Sequence, residues 1–591
     1  MRRKHLLLAA LALVVAGLMW AIAHIPAIAA TWLAHDFGYR PATHAVRLER
    51  RITISAPDGT ALLGDLYRPR TADPTPTILV RIPYSKTWRN TLFARTVGHL
   101  WASRGYTVLI QGTRGRYESG GDYDPFVHET ADGQATLDWI AQQPWSNGKV
   151  GMWGGSYFGY TQWVLAHSGN PQLAALIPQI CSTRFHAMFY PGGAFSLESA
   201  LFWATLSYGD RDIPIPQEAL QQGYNGFPLL EADDRAIQDI DFFNDWAGNP
   251  DADSPYWQAV DGDNRAAQLS APALLMAGWY DPFLPSQLVD FQKIQAAADP
   301  AIAQATRLVI GPWVHASTVT WPDGFKPRNY RLESIEPSLP WFDQHLRGEG
   351  NPYPAPVRIY VMGANQWRDE QEWPLARTQY TPFYLHSGGQ ANSATGDGEL
   401  RLAAVTEGEG SDRFTYDPNN PVPSAGGTML GPNSGIRLQN EVEARKDVLV
   451  YSTPPLERDT EVTGNIQLTL YVSTTAPNTD FTAKLVDVHP DGSAYNISEG
   501  ILRRDYPAAT EDATPTEIQI DLWQTSQVFR QGHRIRLEVS SSNYPRFDRN
   551  PNTGGFIPTE MEGAIAQQTV YHSANYPSRL ILPIIPTEPT N

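Results

Sequence analysis

The chain has 591 residues, 42% of them hydrophobic and 18% charged, and carries a formal net charge of -17. That length exceeds what one hydrophobic core supports and predicts two or three domains, while the negative balance excludes nucleic acid, whose phosphates such a surface repels. The one cysteine, Cys181, excludes an intramolecular disulfide; it ends the apolar run LAALIPQIC and reads as a buried strand end rather than a reactive thiol.

Arg2, Arg3 and Lys4 precede an uncharged apolar run from Leu6 to Ala23, followed by His24, Pro26 and the small-residue site Ala27-Ile28-Ala29. A basic stretch, an apolar stretch and a small-residue site in that order form an export signal. The run also approaches the minimum length of a membrane span, with the basic residues on the cytoplasmic side. Residues 1–30 therefore read as a signal peptide or an N-terminal membrane anchor, with any membrane attachment through residues 5–23. Both readings export the remainder to the periplasm or beyond, the second tethering it to the inner membrane.

Next come a strand pair, Arg51 to Ala56 and Ala61 to Tyr67, around the turn APDG. TILVR (Thr77 to Arg81) and YTVLIQ (Tyr106 to Gln111) are short apolar runs bounded by turn signals, the pattern of buried parallel strands. Helical spacing runs from Thr91 to Arg104 and again from Thr130 to Gln143, where Ala135, Leu137, Trp139 and Ile140 supply the apolar positions. A strand at Lys149 to Trp153, a helix from Tyr157 and a strand at Leu173 to Ile180 continue the alternation, which predicts a parallel sheet with helices on both faces. From about 182 to 270 the chain turns aromatic and helical, then returns to strands in PALLMAGWY and TRLVIGPW, so the insertion reads as a helical cap. Beyond 351, APVRIYVMG, TPFYLHSG, GNIQLTLYVST, DFTAKLVDVHPDG and RIRLEVSSSN alternate between Gly, Asn, Asp and Pro turns and predict an all-β jelly roll. The expected organisation is an α/β-hydrolase core over 45–181 and 271–350, a cap over 182–270 and a galactose-binding-like jelly-roll sandwich over 351–591.

The sharpest local motif is KVGMWGGSYFGYTQW, an apolar strand running into Gly154-Gly155-Ser156-Tyr157-Phe158-Gly159 and out through a helix. A nucleophile elbow needs small residues around a serine held in a tight strand-to-helix turn, with the helix N-terminus favouring negative charge on the substrate oxygen. The usual pattern has glycine two positions after the serine; here that position is Phe158 and the glycine follows at 159. In such hydrolases the acid and the histidine follow in chain order at later strand ends. Asp281 follows PALLMAGWY and His315 follows TRLVIGPWV, in that order. His315 would take the proton of Ser156, and Asp281 would orient the imidazole and stabilise its charged form.

With these motifs the chain resembles the bacterial cocaine esterase-like (CocE/NonD) hydrolases, which are related to the X-Pro dipeptidyl-peptidases of family S15. The resemblance runs from about Arg51 to Pro583 and rests on GGSYFG, TRG at Thr113 to Gly115, GWYD, GPWVH, TYDPNNPVPSAGG, TDFTAKLVDVHPDG and SSSNYPRFDRNPNTGG. It implies the catalytic set Ser156, Asp281 and His315 and an oxyanion hole made by the Tyr84 phenol of VRIPYSK and the backbone N–H of Tyr157. It further implies an acyl pocket lined by Phe189, Trp203 and Phe283, with Leu430 standing where esterase-like members carry an aromatic ring. Members acting on α-amino acid esters have extra carboxylates near that pocket; this chain has Pro282-Phe283-Leu284 after Asp281, which argues against recognition of a free amino group. Gly112 precedes TRG where the family usually has Asp.

No HExxH, cysteine cluster, Walker loop or dinucleotide fingerprint is present, so neither metal nor cofactor is expected. The carboxylates of ERDTEV and GDYD read as solvated turn residues. The leading expectation is an exported serine hydrolase that cleaves carboxylic esters of small molecules through an acyl-enzyme. An amidase, acylase or X-Pro dipeptidyl-peptidase of the same family is the alternative, and an inert carbohydrate-binding protein a remote one. Oligomeric state is not legible.

Overall fold

The computed structural model describes residues 24–209, 213–262, 265–315, 317–322, 324–406, 410–506, 510 and 513–586. The apolar runs of the first half assemble into an 11-stranded sheet. Its strands are β1 (Val46–Ser55), β2 (Ala61–Pro69), β3 (Thr75–Ile82), β4 (Thr107–Gly112), β5 (Ser146–Gly155), β6 (Leu173–Gln179), β7 (Leu274–Tyr280), β8 (Arg307–Val314), β9 (Ser317–Thr318), β10 (Val357–Val361) and β11 (Gln366–Glu370). They lie in the order β1-β2-β4-β3-β5-β6-β7-β8-β10-β11, with β9 paired to β8. From β4 through β10 every neighbour on that path is parallel.

Such strands are apolar on both faces because both are covered. Leu79, Leu109 and Met152 pack into one core with the cap, whereas Ile78, Val80, Val108 and Ile110 point to the other, with the helix Trp88–Ala102. The period-2 alternation of side chains along each strand divides the two layers. The cap helices, among them Leu197–Ser207 and Asp241–Ala247, lie between β6 and β7 in the chain. The insertion is rooted by Asp290, which accepts hydrogen bonds from Ser182 Oγ (2.7 Å), Thr183 N (2.9 Å) and Thr183 Oγ1 (2.6 Å). Burial pushes that carboxyl up to about 6.

A second, almost wholly antiparallel arrangement runs from Gln379–His386 to Arg579–Ile584 around a core that includes Leu385, Leu449, Leu468, Phe481, Leu537 and Leu580. This is the expected sandwich, with one correction. The strand of APVRIYVMG does not belong to it: β10 pairs in parallel with β8 and carries β11 with it, so the first sheet continues to Glu370, past the expected boundary at 351. Alternation predicts a strand without naming its partner, and the edge of β8 offers unpaired backbone groups nearby.

A further departure has the same origin. The helix expected over Thr130 to Gln143 spans Glu129–Ala141, and its buried face holds Glu129 and Asp132 beside Leu137 and Ile140, while Ala135 and Trp139 are only half-buried. The charges are tolerated because partners arrive from elsewhere: Arg81 Nη2 lies 2.9 Å from Glu129, and Arg114 Nη2 lies 2.8 Å from Asp132. At the N-terminus, residues 1–23, with most of the expected signal or anchor, lie outside the described residues. Residues 24–36 are helical, and Ala30, Leu33 and Ala34 join the core that contains Tyr67 and Trp101. The Tyr39 hydroxyl lies 2.9 Å from the carbonyl oxygen of Ile335 and 2.7 Å from that of Glu336, which fastens this segment to the first sheet's domain. Among the described residues no helix is long and apolar enough to cross a membrane.

Candidate active site

β5 ends at Gly155 and the helix Tyr157–Trp163 starts two residues later, which leaves Ser156 to make the turn alone. Its backbone sits at φ 58°, ψ -128°, a strained conformation for a residue with a Cβ. The surroundings hold it there: its N–H donates to Gln179 O of β6 at 2.8 Å, and its carbonyl accepts from Gly159 N at 2.8 Å. The glycine pattern is set by close approach. A Cβ on Gly154 would lie 2.4 Å from Phe158 Cβ, and one on Gly159 would lie 2.7 Å from Cys181 Sγ. Glycine at 159 thus lets the elbow helix settle on the end of β6, while Phe158 leans on Tyr84 (ring centroids 5.7 Å apart). Cys181 itself is buried, which pushes its thiol well above the usual range.

Two later strand ends meet the serine. His315 follows β8, and its Nε2 is 2.9 Å from Ser156 Oγ. Its Nδ1 is 2.7 Å from Oδ2 of Asp281, which directly follows β7. Asp281 is fully buried, and its Oδ1 accepts from Phe283 N at 2.8 Å. The carboxylate is therefore satisfied on both oxygens and can hold the imidazole in one tautomer and orientation. This chain of hydrogen bonds can make the serine a nucleophile at neutral pH.

Tyr84 lies just past the end of β3, half-buried, and β3 runs parallel beside β5 with Leu79 opposite Met152, so Tyr84 and Ser156 emerge at the same sheet edge. Tyr157 is the first residue of its helix, a position whose N–H has no intrahelical acceptor. Its ring is locked: the phenol donates to Glu129 Oε1 and accepts from Phe126 N, both at 2.8 Å, and the ring packs against those of Phe126 and Trp203, with centroids 4.6 and 6.0 Å away. Burial raises both the Tyr157 phenol and the Glu129 carboxyl above their ordinary values.

Above Ser156 opens a narrow apolar cavity of about 360 Å³, its mouth included. The expected Phe189, Trp203, Phe283 and Leu430 all line it. So do Phe126, Phe185, Met188 and Ser199, which the sequence did not single out; Phe126 lies in the loop before the Glu129 helix and the other three in the cap. Among the described residues no carboxylate lines the cavity. Leu430 comes from the sandwich, its N–H donating to Ser199 Oγ at 3.2 Å. Beside it Glu198, 5% exposed, accepts from Ser199 Oγ at 3.3 Å, and burial pushes its carboxyl up to about 7. A Cβ on Gly431 would stand 1.9 Å from Glu198 Oε1, so glycine is needed for their close approach. The fully buried Arg546 lies behind, bonded to Glu499 Oε1 (3.3 Å), Thr428 Oγ1 (3.1 Å) and, in the cap, Ser196 Oγ (3.2 Å). Gly112 is explained similarly: a Cβ there would lie 2.3 Å from Arg116 O, leaving no room for an aspartate.

Comparison with known proteins agrees with this architecture. The X-Pro dipeptidyl-peptidase (S15 family) profile matches residues 58–317, and that of the X-Pro dipeptidyl-peptidase C-terminal non-catalytic domain matches 353–581. The cocaine esterase of Rhodococcus sp. (strain MB1 Bresler) is 39% identical over 582 residues, which cover 90% of this chain and 98% of the relative. An aminopeptidase from a marine sediment archaeon, Thaumarchaeota archaeon, superposes with a TM-score of 0.74 at 26% identity over 92% of this chain and 97% of its own. An α-amino acid ester hydrolase shares the fold with a TM-score of 0.74 at 23% identity over 92% of this chain and 98% of its own.

Proposed function

The chain belongs to the cocaine esterase-like serine hydrolases related to the X-Pro dipeptidyl-peptidases, and from that premise we propose that it is an exported carboxylesterase acting on small esters with an apolar or aryl acyl group. The observation that carries this reading is the chain Ser156–His315–Asp281 opening into an apolar cavity with no carboxylate among its described lining residues. In the proposed reaction Ser156 Oγ attacks the ester carbonyl carbon as His315 Nε2 takes its proton. Asp281 stabilises the imidazolium through Nδ1–H. The carbonyl oxygen, now an anion, accepts from the Tyr157 backbone N–H and the Tyr84 phenol, each such donor contributing roughly 3 kcal/mol in the transition state. His315 then protonates the leaving alcohol, and water, deprotonated by the same imidazole, releases the acid from the acyl-enzyme.

The acyl group would lie between Phe283, whose ring is 5.8 Å from that of His315, and the Phe185, Trp203 and Leu430 side chains. Glu198, the carboxylate beside the cavity, is held toward its neutral form by burial, which weighs against its receiving a substrate ammonium. Export is part of the proposal through the basic-then-apolar order of residues 1–30; N-terminal sequencing of protein recovered outside the cytoplasm would separate a cleaved signal from an anchor.

The testing experiment pairs p-nitrophenyl esters with p-nitroanilides of short aliphatic acids, aryl acids and X-Pro dipeptides. Fast ester turnover with little anilide turnover is expected. Preferential cleavage of X-Pro anilides would replace the proposal with the peptidase reading.

A further inference from the structure

We propose that Asp487, His489 and His533 of the sandwich form a binding site for one divalent transition-metal cation of the zinc class. The strand Asn478–Val488 runs antiparallel to Arg534–Ser540, with Asp487 opposite Ile535 and Val488 opposite Arg534. The turn after the first strand carries His489, and the turn before the second carries His533, so the ladder brings residues more than forty positions apart to one sheet end. His533 Nδ1 lies 2.8 Å from Asp487 Oδ1, and His489 Nε2 lies 3.9 Å from Oδ2, so each carboxylate oxygen faces a different imidazole. One ligand atom from each of the three residues falls within 4.8 Å of the other two. The imidazole centroids are 4.4 Å apart, tilted by 37°.

Two imidazoles and one carboxylate are the donors that zinc and its neighbours accept, and a poor set for calcium or magnesium, which take oxygen. Burial is graded as an entry path requires: the Asp487 side chain is 6% exposed, His533 15% and His489 30%. A further buried amide lies beside the carboxylate. Gln527 is buried, and its Nε2 lies 3.4 Å from Asp487 Oδ2, while its Oε1 has no hydrogen-bond partner. The same nitrogen donates to Val528 O at 3.1 Å. A plain ion pair accounts for His533 and Asp487 but leaves the approach of His489 unexplained.

The site would also brace the seam between the two sheets. Next to Gln527, Val528 N–H donates to Met362 O at 2.8 Å, and Met362 N–H donates to Ser526 O at 2.9 Å, joining the sandwich to the end of β10. Metal binding should therefore raise Tm, with the bound state favoured over the unfolded chain.

The test uses the full chain, dialysed against a chelator and then titrated with zinc by calorimetry, with cobalt absorption as an independent report of nitrogen ligation. The expected result is one equivalent bound with a rise in Tm, and affinity lowered about tenfold or more in both His533→Ala and His489→Phe. His489 makes no close hydrogen bond to Asp487, so its variant separates loss of a ligand from loss of the fold. Wild-type protein that takes up no metal, or uptake unchanged in the double variant His489→Phe/His533→Ala, overturns the proposal.

Discussion

The strand ends that carry Ser156, Asp281 and His315 and the seam that closes the cavity above them are held by opposite means. Each residue of the first group is placed by its own strand of one sheet, and the three meet through two short hydrogen bonds. The seam is assembled from distant segments: Leu430 reaches Ser199 across 231 positions, and Arg546 reaches Ser196 across 350. Its polar groups are also buried, and each must be paired, Arg546 by sandwich and cap residues together. In the proposed reaction chemistry and acyl selection are thereby separable: the strand ends would set the reaction, and the cap and sandwich together what fits.

That separation can be broken by mutation. The largest expected effect is at the sheet edge, where Ser156→Ala should lower kcat on p-nitrophenyl esters by about 10⁴ to 10⁶ with Tm unchanged; comparable residual activity would move the nucleophile elsewhere. At the seam, Arg546→Ala leaves Glu499 and Glu198 buried without their cation and should cost about 3–5 kcal/mol of stability, read as a large drop in the urea midpoint. The kcat of the folded fraction should change far less, and a kcat loss matching that of Ser156→Ala would erase the distinction between the two regions.

Tyr84→Phe should lower kcat by about 10²- to 10³-fold with little change in Tm, and an unaltered kcat removes the phenol from the oxyanion hole. The smallest effect is a slope in pH. Glu198 titrates near 7 in the folded chain against 4.5 when unperturbed. Between those values the unfolded chain has lost the proton that the folded one retains, so rising pH favours unfolding, by on the order of 3 kcal/mol at most. The stability is complete below 4.5 and lost by about 7. Glu198→Gln should flatten that part of the stability profile, and an unchanged slope would mean that the titrating group lies elsewhere.

Much of this was legible in the chain itself. Apolar runs of strand length alternating with helical periods specify a covered parallel sheet, because few other architectures bury such runs on both sides. The elbow around Ser156 was legible because its glycines answer contacts made within a few residues or by the next strand, and Asp281 and His315 because strand ends in a known order leave few candidates. That Phe189, Trp203, Phe283 and Leu430 line the cavity was expected by resemblance, but that Phe126, Phe185, Met188 and Ser199 do so was not, since aromatic and small residues in a loop or a helical insertion look alike whether they face a cavity or a core.

Local pattern therefore determined the strands, the helices and the order of the reacting groups, since these follow from periodicity and from turns that a few adjacent residues dictate. Only the tertiary structure decided that β10 joins β8, that Glu129 and Asp132 are buried against Arg81 and Arg114, that Leu430 of the sandwich closes the cavity, and that Asp487, His489 and His533 share one sheet end. Each of these depends on partners far apart in the chain. A buried charge, a strand edge or a ligand set is defined by what faces it, and facing is a property of packing.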